Sequence, residues 1–288
     1  MTCVAALAYI GLTATNVKEW SDFAARLLGA EVSLAADGSA ACRIDSRAFR
    51  IGLEQGGEND LAYVGWEVAD EAVLDQIRRR LEAEGYYPRP MTESEAKDRR
   101  VAAGVVAQDP NGLTLEVVVE PAVGGEPFVS PLGVSFVTEE LGLGHVVLYV
   151  KDLQESLSFY CNVLGFAVTD RIHLGGIQVV FLHCNGRHHS LALVPGRTSQ
   201  RLQHFMLEVD SIDVVGRAFD RCEAEQRAQS TLGRHTNDFM FSFYAQPPEC
   251  TYTIEYGHGG RVLSDPVTVV SFDSTSWWGH KDLLPGQL

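Results

Sequence analysis

Five residues between Gly233 and Gly257 concentrate the chemistry of this chain: His235, Asn237, Asp238, Tyr244 and Glu255, set along what read as two extended segments joined by a Pro247-Pro248 turn. That is more titratable and polar chemistry than a structural hairpin needs, and it reads as half of an active site. The other half has to come from histidines elsewhere. Two of them, His145 and His204, lie in apolar stretches, Gly-Leu-Gly-His145-Val-Val-Leu-Tyr-Val and Leu-Gln-His204-Phe-Met-Leu-Glu-Val. A strand there would turn every second side chain to one face.

A lone histidine in such a strand is more often a core or surface residue than a ligand. Two imidazoles and the carboxylate of Glu255 on one face would instead hold a metal and leave its opposite positions open. That arrangement is associated with non-haem Fe(II) enzymes that bind substrate and O2 together. Spacing alone leaves zinc, manganese and nickel open.

Other polar groups read less clearly. His188-His189 follows Asn185-Gly186-Arg187 and precedes Ser190-Leu191-Ala192-Leu193, so one of the pair is expected to start a strand and point inward while the other points away; the plain alternative is a surface pair at a turn. His235 and Tyr244 would start and end one strand, and their odd separation puts them on opposite faces unless a bend intervenes. Asn237 and Asp238 suit a turn equally well, because their side chains bond nearby backbone. His173, His183, His258 and His280 show no usable pattern and are taken as structural or exposed. Gly175-Gly176 and Gly259-Gly260 are isolated pairs rather than a phosphate-binding loop.

The elements that would position these groups come in repeats. Val4–Leu12 reads as a strand, Asn16 caps a helical pattern over Val17–Leu28, Gly29 stops it, and extended runs follow over about 31–36, 40–45 and 48–54. A second unit starts at Leu61–Val68, passes through a helix from about Glu71 to Glu84 ended by Gly85, and closes with strands near 101–108 and 113–120. Residues 121–144 shift to Gly, Pro, Ser and Val without periodicity, as an inter-domain connection does. Then the pattern restarts. Tyr9, Phe23, Leu28, Gly29 and Val32 answer His145, Phe159, Leu164, Gly165 and Val168 at one constant offset; Tyr63 and Glu67 answer His204 and Glu208 at a second; Glu116 answers Glu255 after one inserted residue. Three matches in order make an internal duplication, with a strand–helix–strand unit twice in each half. All nine histidines follow residue 144. Where the second copy has His145, His204 and Glu255, the first has Tyr9, Tyr63 and Glu116, so the functional copy is the C-terminal one.

With 288 residues, 45% hydrophobic and 21% charged, the chain suits two domains, divided as 1–122, a linker at 123–142, and 143–288. A formal charge of −15 disfavours phosphate backbones and anionic membranes, which leaves a small molecule as the expected partner. No apolar run reaches about 18 residues and Met1–Tyr9 carries no positive side chain, so the expected location is cytoplasmic. The six cysteines (Cys3, Cys42, Cys161, Cys184, Cys222, Cys250) are scattered singly and are expected to be reduced thiols.

Several long motifs carry a family resemblance: Arg43-Ile-Asp-Ser-Arg-Ala48, Phe181-Leu-His-Cys-Asn185, Arg187-His-His189, His204-Phe-Met-Leu-Glu-Val209, Ser230-Thr-Leu-Gly-Arg-His-Thr-Asn-Asp238 and Trp278-Gly-His-Lys281. The whole chain resembles the extradiol ring-cleavage dioxygenases of the vicinal oxygen chelate superfamily, most closely the 2,3-dihydroxybiphenyl 1,2-dioxygenases. The fold implied is α+β, with two glyoxalase/dihydroxybiphenyl dioxygenase-like domains, each of two β-α-β-β-β modules forming an incomplete barrel. The resemblance places Fe(II), with Mn(II) the lesser alternative, on His145, His204 and Glu255, and makes His189 the acid/base. It puts His235 and Tyr244 beside the substrate, with Asn237 and Asp238 supporting that wall and Val147 and Phe181 lining the ring pocket. The implied reaction opens a 3-substituted catechol with O2 to a 2-hydroxy-6-oxo-dienoate, and the family is commonly oligomeric. The turn Gln246-Pro247-Pro248-Glu249-Cys250 departs from the family, which usually has Gly where Cys250 stands, and Phe239 replaces a histidine that close relatives can carry. Two rivals keep the scaffold but change the function: a metal-dependent isomerase or thiol transferase, and a non-catalytic small-molecule-binding protein.

Overall fold

The structure is a computed structural model that describes residues 4–196, 199–264 and 267–284. In the N-terminal half, β1 (Ala6–Ala14) leads into α1 (Val17–Phe23), whose first turn is capped by the Asn16 side chain accepting from the Glu19 amide; a wider π turn over Ala24–Leu28 ends at Gly29, with φ 84°. β2 (Glu31–Leu34), β3 (Ala40–Arg43) and β4 (Ile51–Gln55) complete the first module. The second contains β5 (Asp60–Glu67), α2 (Glu71–Ala83), β6 (Arg89–Pro90), α3 (Glu93–Arg99), β7 (Ala103–Gln108) and β8 (Thr114–Val119). Sequence periodicity missed β6 and α3. The signal for α3 was present as a capping box, in which Thr92 and Glu95 satisfy each other's backbone amides.

The C-terminal half repeats the plan: β9 (His145–Val150), α4 (Leu153–Ser158) with its own π turn at Phe159–Val163, β10 (Ala167–Leu174), β11 (Ile177–His183) and β12 (Leu191–Pro195). Then come β13 (Leu202–Glu208), α5 (Ile212–Ala224), β14 (Gly233–His235), β15 (Phe241–Ala245) and β16 (Thr253–His258), followed by β17 (Val270–Phe272) and β18 (Ser276–Trp278). The strand order β2-β3-β4-β1-β5-β8-β7-β6 of the first sheet recurs as β10-β11-β12-β9-β13-β16-β15-β14 in the second. Register recurs too. Tyr9 pairs Gly65, which pairs Glu116, and His145 pairs Met206, which pairs Glu255.

The second sheet carries two extra strands at its opposite edges. β17 pairs with β10 and β18 with β14, so the short segment 270–278 reaches from one edge to the other. One continuous apolar core runs between the halves, with Trp20 Nε1 donating to the Tyr252 hydroxyl at 3.0 Å and Trp66 edge-on to Phe166. The unusual 246–250 turn belongs to that contact: Glu249 accepts from Thr15 Oγ1 at 2.6 Å and, through its carbonyl, from Asn59 Nδ2 at 3.0 Å. The Tyr244–Glu255 pairing beside it is unbroken. Cys42, Cys161, Cys184, Cys222 and Cys250 are free thiols, and Cys3 lies outside the described residues. Among the described residues no helix is long and apolar enough to cross a membrane.

Candidate active site

β13 lies between β9 and β16 at the middle of the second sheet. His145 and Glu255 are the cross-strand partners of Met206, on either side of it, and His204 stands two residues before Met206 on the same face. Gly144, at φ 156°, lets β9 approach closely here, since a Cβ would lie 2.0 Å from the Met206 carbonyl oxygen. The result is three donor atoms turned on one point. His145 Nε2 and His204 Nε2 are 3.1 Å apart, and Glu255 Oε2 lies 3.3 Å and 3.6 Å from them. Two imidazole nitrogens facing each other across a carboxylate oxygen satisfy one another poorly, whereas these edges suit three adjacent donors that would hold one cation. The donor set therefore fits a metal, and His145, His204 and Glu255 form a buried candidate group for one. Gln203 Oε1 accepts from His204 Nδ1, which leaves Nε2 as the free lone pair.

The ten candidate residues all reach one cavity of about 390 Å³: His145, His204, Glu255, His189, His235, Tyr244, Asn237, Asp238, Val147 and Phe181. Tyr149, Ile172, Val179 and Val194 add to its apolar wall. A mostly apolar hollow with a few convergent polar groups is the usual form of a small-molecule site.

The structure departs from the sequence pattern at three places. Residues 233–245 are two strands rather than one, because Asp238 Oδ1 accepts from the Met240 amide and Phe239 turns to φ 63° between β14 and β15. That bend defeats the odd-spacing argument. His235 and Tyr244 face each other, with the hydroxyl 3.1 Å from His235 Nε2. Second, neither member of the His188-His189 pair points to solvent: His188 is buried with Nε2 2.9 Å from Asp170 Oδ2, its Nδ1 is 3.1 Å from His189 Nδ1, and His189 packs against His145 and Phe181. Third, His280, taken as structural or exposed, is partly buried at the site itself. It lines the cavity, lies with its ring 4.3 Å from that of His235 at a 33° tilt, and contacts Ser242. His183 and His258 bond Thr169 and the Val209 carbonyl, structural roles as expected.

Burial sets the electrostatics. It pushes His145 down to about 4, and with the neighbouring His145 and His188 it holds His189 well below the usual imidazole range. His235 runs the other way: burial opposes its proton, but Glu255, 3.1 Å away through Oε1, together with Asp238 lifts it to about 9. Its Nδ1 faces the Thr275 carbonyl at 2.8 Å, so both ring nitrogens meet acceptors. Burial also raises Asp238, whose Oδ2 lies 4.0 Å from His189 Nδ1. Against the desolvation of burial, His235 and the flanking imidazoles keep Glu255 well below the usual carboxylate range.

The first half shows the same scaffold without the donors. Tyr9 donates to Glu116 Oε2 at 2.6 Å, and the Arg99 guanidinium sits 3.2 Å from the same oxygen and 3.5 Å from the Tyr63 ring centre. Tyr9, Phe49 and Tyr63 fill the space between.

Comparison with known proteins agrees across the chain. A family model described as the Glyoxalase/Bleomycin resistance protein/Dioxygenase superfamily matches residues 142–256, and one described as Dihydroxybiphenyl dioxygenase BphC D1 matches 7–56. A biphenyl-2,3-diol 1,2-dioxygenase of Metapseudomonas furukawaii is 42% identical, covering 97% of this chain and 94% of its own. An iron-dependent extradiol dioxygenase of Rhodococcus jostii is 37% identical over 96% of this chain and 97% of its own. The crystal structure of a halotolerant catechol dioxygenase superposes with a TM-score of 0.95 at 37% identity, covering 100% of this chain and 98% of the other.

Proposed function

The chain belongs to the extradiol ring-cleavage dioxygenases of the vicinal oxygen chelate superfamily, and we propose that His145, His204 and Glu255 hold Fe(II), at which a 3-substituted catechol such as 2,3-dihydroxybiphenyl is opened by O2 to a 2-hydroxy-6-oxo-dienoate. Extradiol cleavage of catechols in aromatic degradation is the function of this protein. The assignment of the metal and its reaction rests on the convergence of three ligand atoms within 4.8 Å of one another at a cavity of about 390 Å³. Iron is favoured by the two-nitrogen, one-carboxylate set and by the iron-dependent relative. When bound, it supplies the Lewis acidity that acidifies a catechol hydroxyl and the redox route for O2.

The remaining work falls to side chains. Val147, Phe181, Ile172 and Val179 hold the ring substituent and exclude water. His189 turns Nδ1 to His188 and Asp238, which leaves Nε2 for the substrate. Held neutral, it takes the proton of a catechol hydroxyl there and returns it as the ring opens. Tyr244, whose oxygen accepts from His235 Nε2, keeps its own proton to donate to oxygen charge that develops during the reaction, and the cationic His235 ring beside it adds positive charge. Asn237 holds the far wall by donating to Asp170 Oδ1 at 3.4 Å. The half from residue 143 onward is the catalytic one, because in the first half Tyr9, Tyr63 and Arg99 occupy the corresponding space.

Anaerobic purification with metal analysis, followed by oxygen uptake on 2,3-dihydroxybiphenyl, 3-methylcatechol and catechol, tests this reading. Iron should copurify and O2 should be consumed in step with the diol. A zinc protein indifferent to oxygen would favour an isomerase or thiol transferase instead.

A further inference from the structure

We propose that Ser242 and His280 are positioning residues that hold one oxygen of Glu255 away from the metal, so that the carboxylate presents the other. The inference rests on Glu255 being a metal ligand. Ser242 Oγ lies 2.7 Å from Glu255 Oε1 and both residues are fully buried. Oε1 also faces His235 Nε2, whereas Oε2 is the oxygen near His145 and His204. The carboxylate is therefore divided, with one oxygen bound by protein donors and the other turned to the ligand nitrogens.

The hydrogen positions follow from donor and acceptor counts. An ionised carboxylate only accepts, so the single Ser242 hydroxyl proton points to Glu255. Towards His280 the same hydroxyl must accept, which places the proton on His280 Nε2, 3.1 Å away. The Ser242 carbonyl, also 3.1 Å from Nε2 and able only to accept, requires the same tautomer. Ser276 Oγ, 2.7 Å from Nδ1, then donates to the remaining ring nitrogen. A one-way chain runs from Ser276 through His280 and Ser242 to Glu255. Such outer hydrogen bonds fix how a ligand presents itself to its metal.

The backbone is built around this contact. A Cβ at Gly233 would lie 2.6 Å from the His280 ring, and one at Gly279, at φ 77°, would lie 2.1 Å from the Leu232 carbonyl oxygen. His280 itself is held at φ 48°, a conformation that non-glycine residues adopt rarely. The segment that delivers it is the one that spans the sheet edges through β17 and β18. Among the described residues the first sheet has no such strands, and there Glu116 is held by Tyr9 and Arg99 instead. The strap accompanies the copy that has the ligands.

The test is the rate at which the iron-loaded protein surrenders Fe(II) to a chelator under anaerobic conditions, read beside kcat and KM for 2,3-dihydroxybiphenyl. Ser242→Ala and His280→Ala should each speed iron loss about 10-fold or more and lower kcat more than they raise KM. His280→Gln, whose amide nitrogen can reach the Nε2 position, should recover most of the loss. Urea denaturation of the metal-free variants checks that a change in iron retention is not a change in folding. Unchanged iron release in both alanine variants would overturn the proposal. Failure of the underlying reading looks different: the unaltered protein would bind no iron, or Glu255→Ala would retain it as tightly.

Discussion

The Tyr9 hydroxyl donates to Glu116 at 2.6 Å in the first sheet, at the register position where His145 faces Glu255 in the second. Arg99 joins the same carboxylate, so the first half carries an internal cation beside the glutamate. Removing one partner of a buried pair leaves the other uncompensated. Arg99→Met should therefore cost about 3 kcal/mol by urea denaturation, with iron content and turnover unchanged. Loss of iron from that variant would mean that the first half takes part in the metal site.

His189 is assigned the proton transfer. His189→Ala should keep its iron and lose about 100-fold or more in kcat. Full turnover by an iron-loaded variant would remove His189 from the mechanism.

His235 and Tyr244 act on developing charge rather than on the metal. His235→Ala should lower kcat about 100-fold, and Tyr244→Phe should lower it by less because His235 remains. KM should change little in either. A large rise in KM with kcat intact would reassign both to ground-state binding.

The metal-free protein should show a stability optimum in pH. His145 and His280 are pushed to about 4, chiefly by burial, and His189 is also lowered, so all three bind protons more readily in the unfolded chain. Stability from keeping them neutral is complete above about 6.5 and is lost as pH falls towards 4. His235, raised to about 9, contributes stability that is complete below about 6.5 and is lost as pH rises through 9. The urea midpoint should peak near pH 6.5, and His235→Gln should flatten its alkaline side. A midpoint constant from pH 4 to 9 would contradict these assignments.

The duplication was legible in the sequence because tyrosine and histidine replace each other at constant offsets, and identical register in the two sheets reproduces those offsets. The ten site residues could be named from the chain for the same reason, together with the family motifs. What stayed hidden was conformation between elements. The alternation of Met240 to Tyr244 reads as continuous with Arg234 and His235, yet a left-handed Phe239 folds the stretch back on itself. His188 looked free to face solvent because its partner Asp170 sits on another strand, 18 residues earlier (188 − 170). His280 lacked any local pattern, since its contacts to Ser242 reach across 38 residues. Periodicity reports the face of an element and is silent on what a distant segment brings to it.

Cleavage beside rather than between the hydroxylated carbons is tested most directly by the product. Iron-reconstituted protein given 2,3-dihydroxybiphenyl under isotopically labelled O2 should form a 2-hydroxy-6-oxo-dienoate whose mass, read before exchange with water, has gained both oxygen atoms. A dicarboxylate opened between the two hydroxyls, or a product without label, would contradict it.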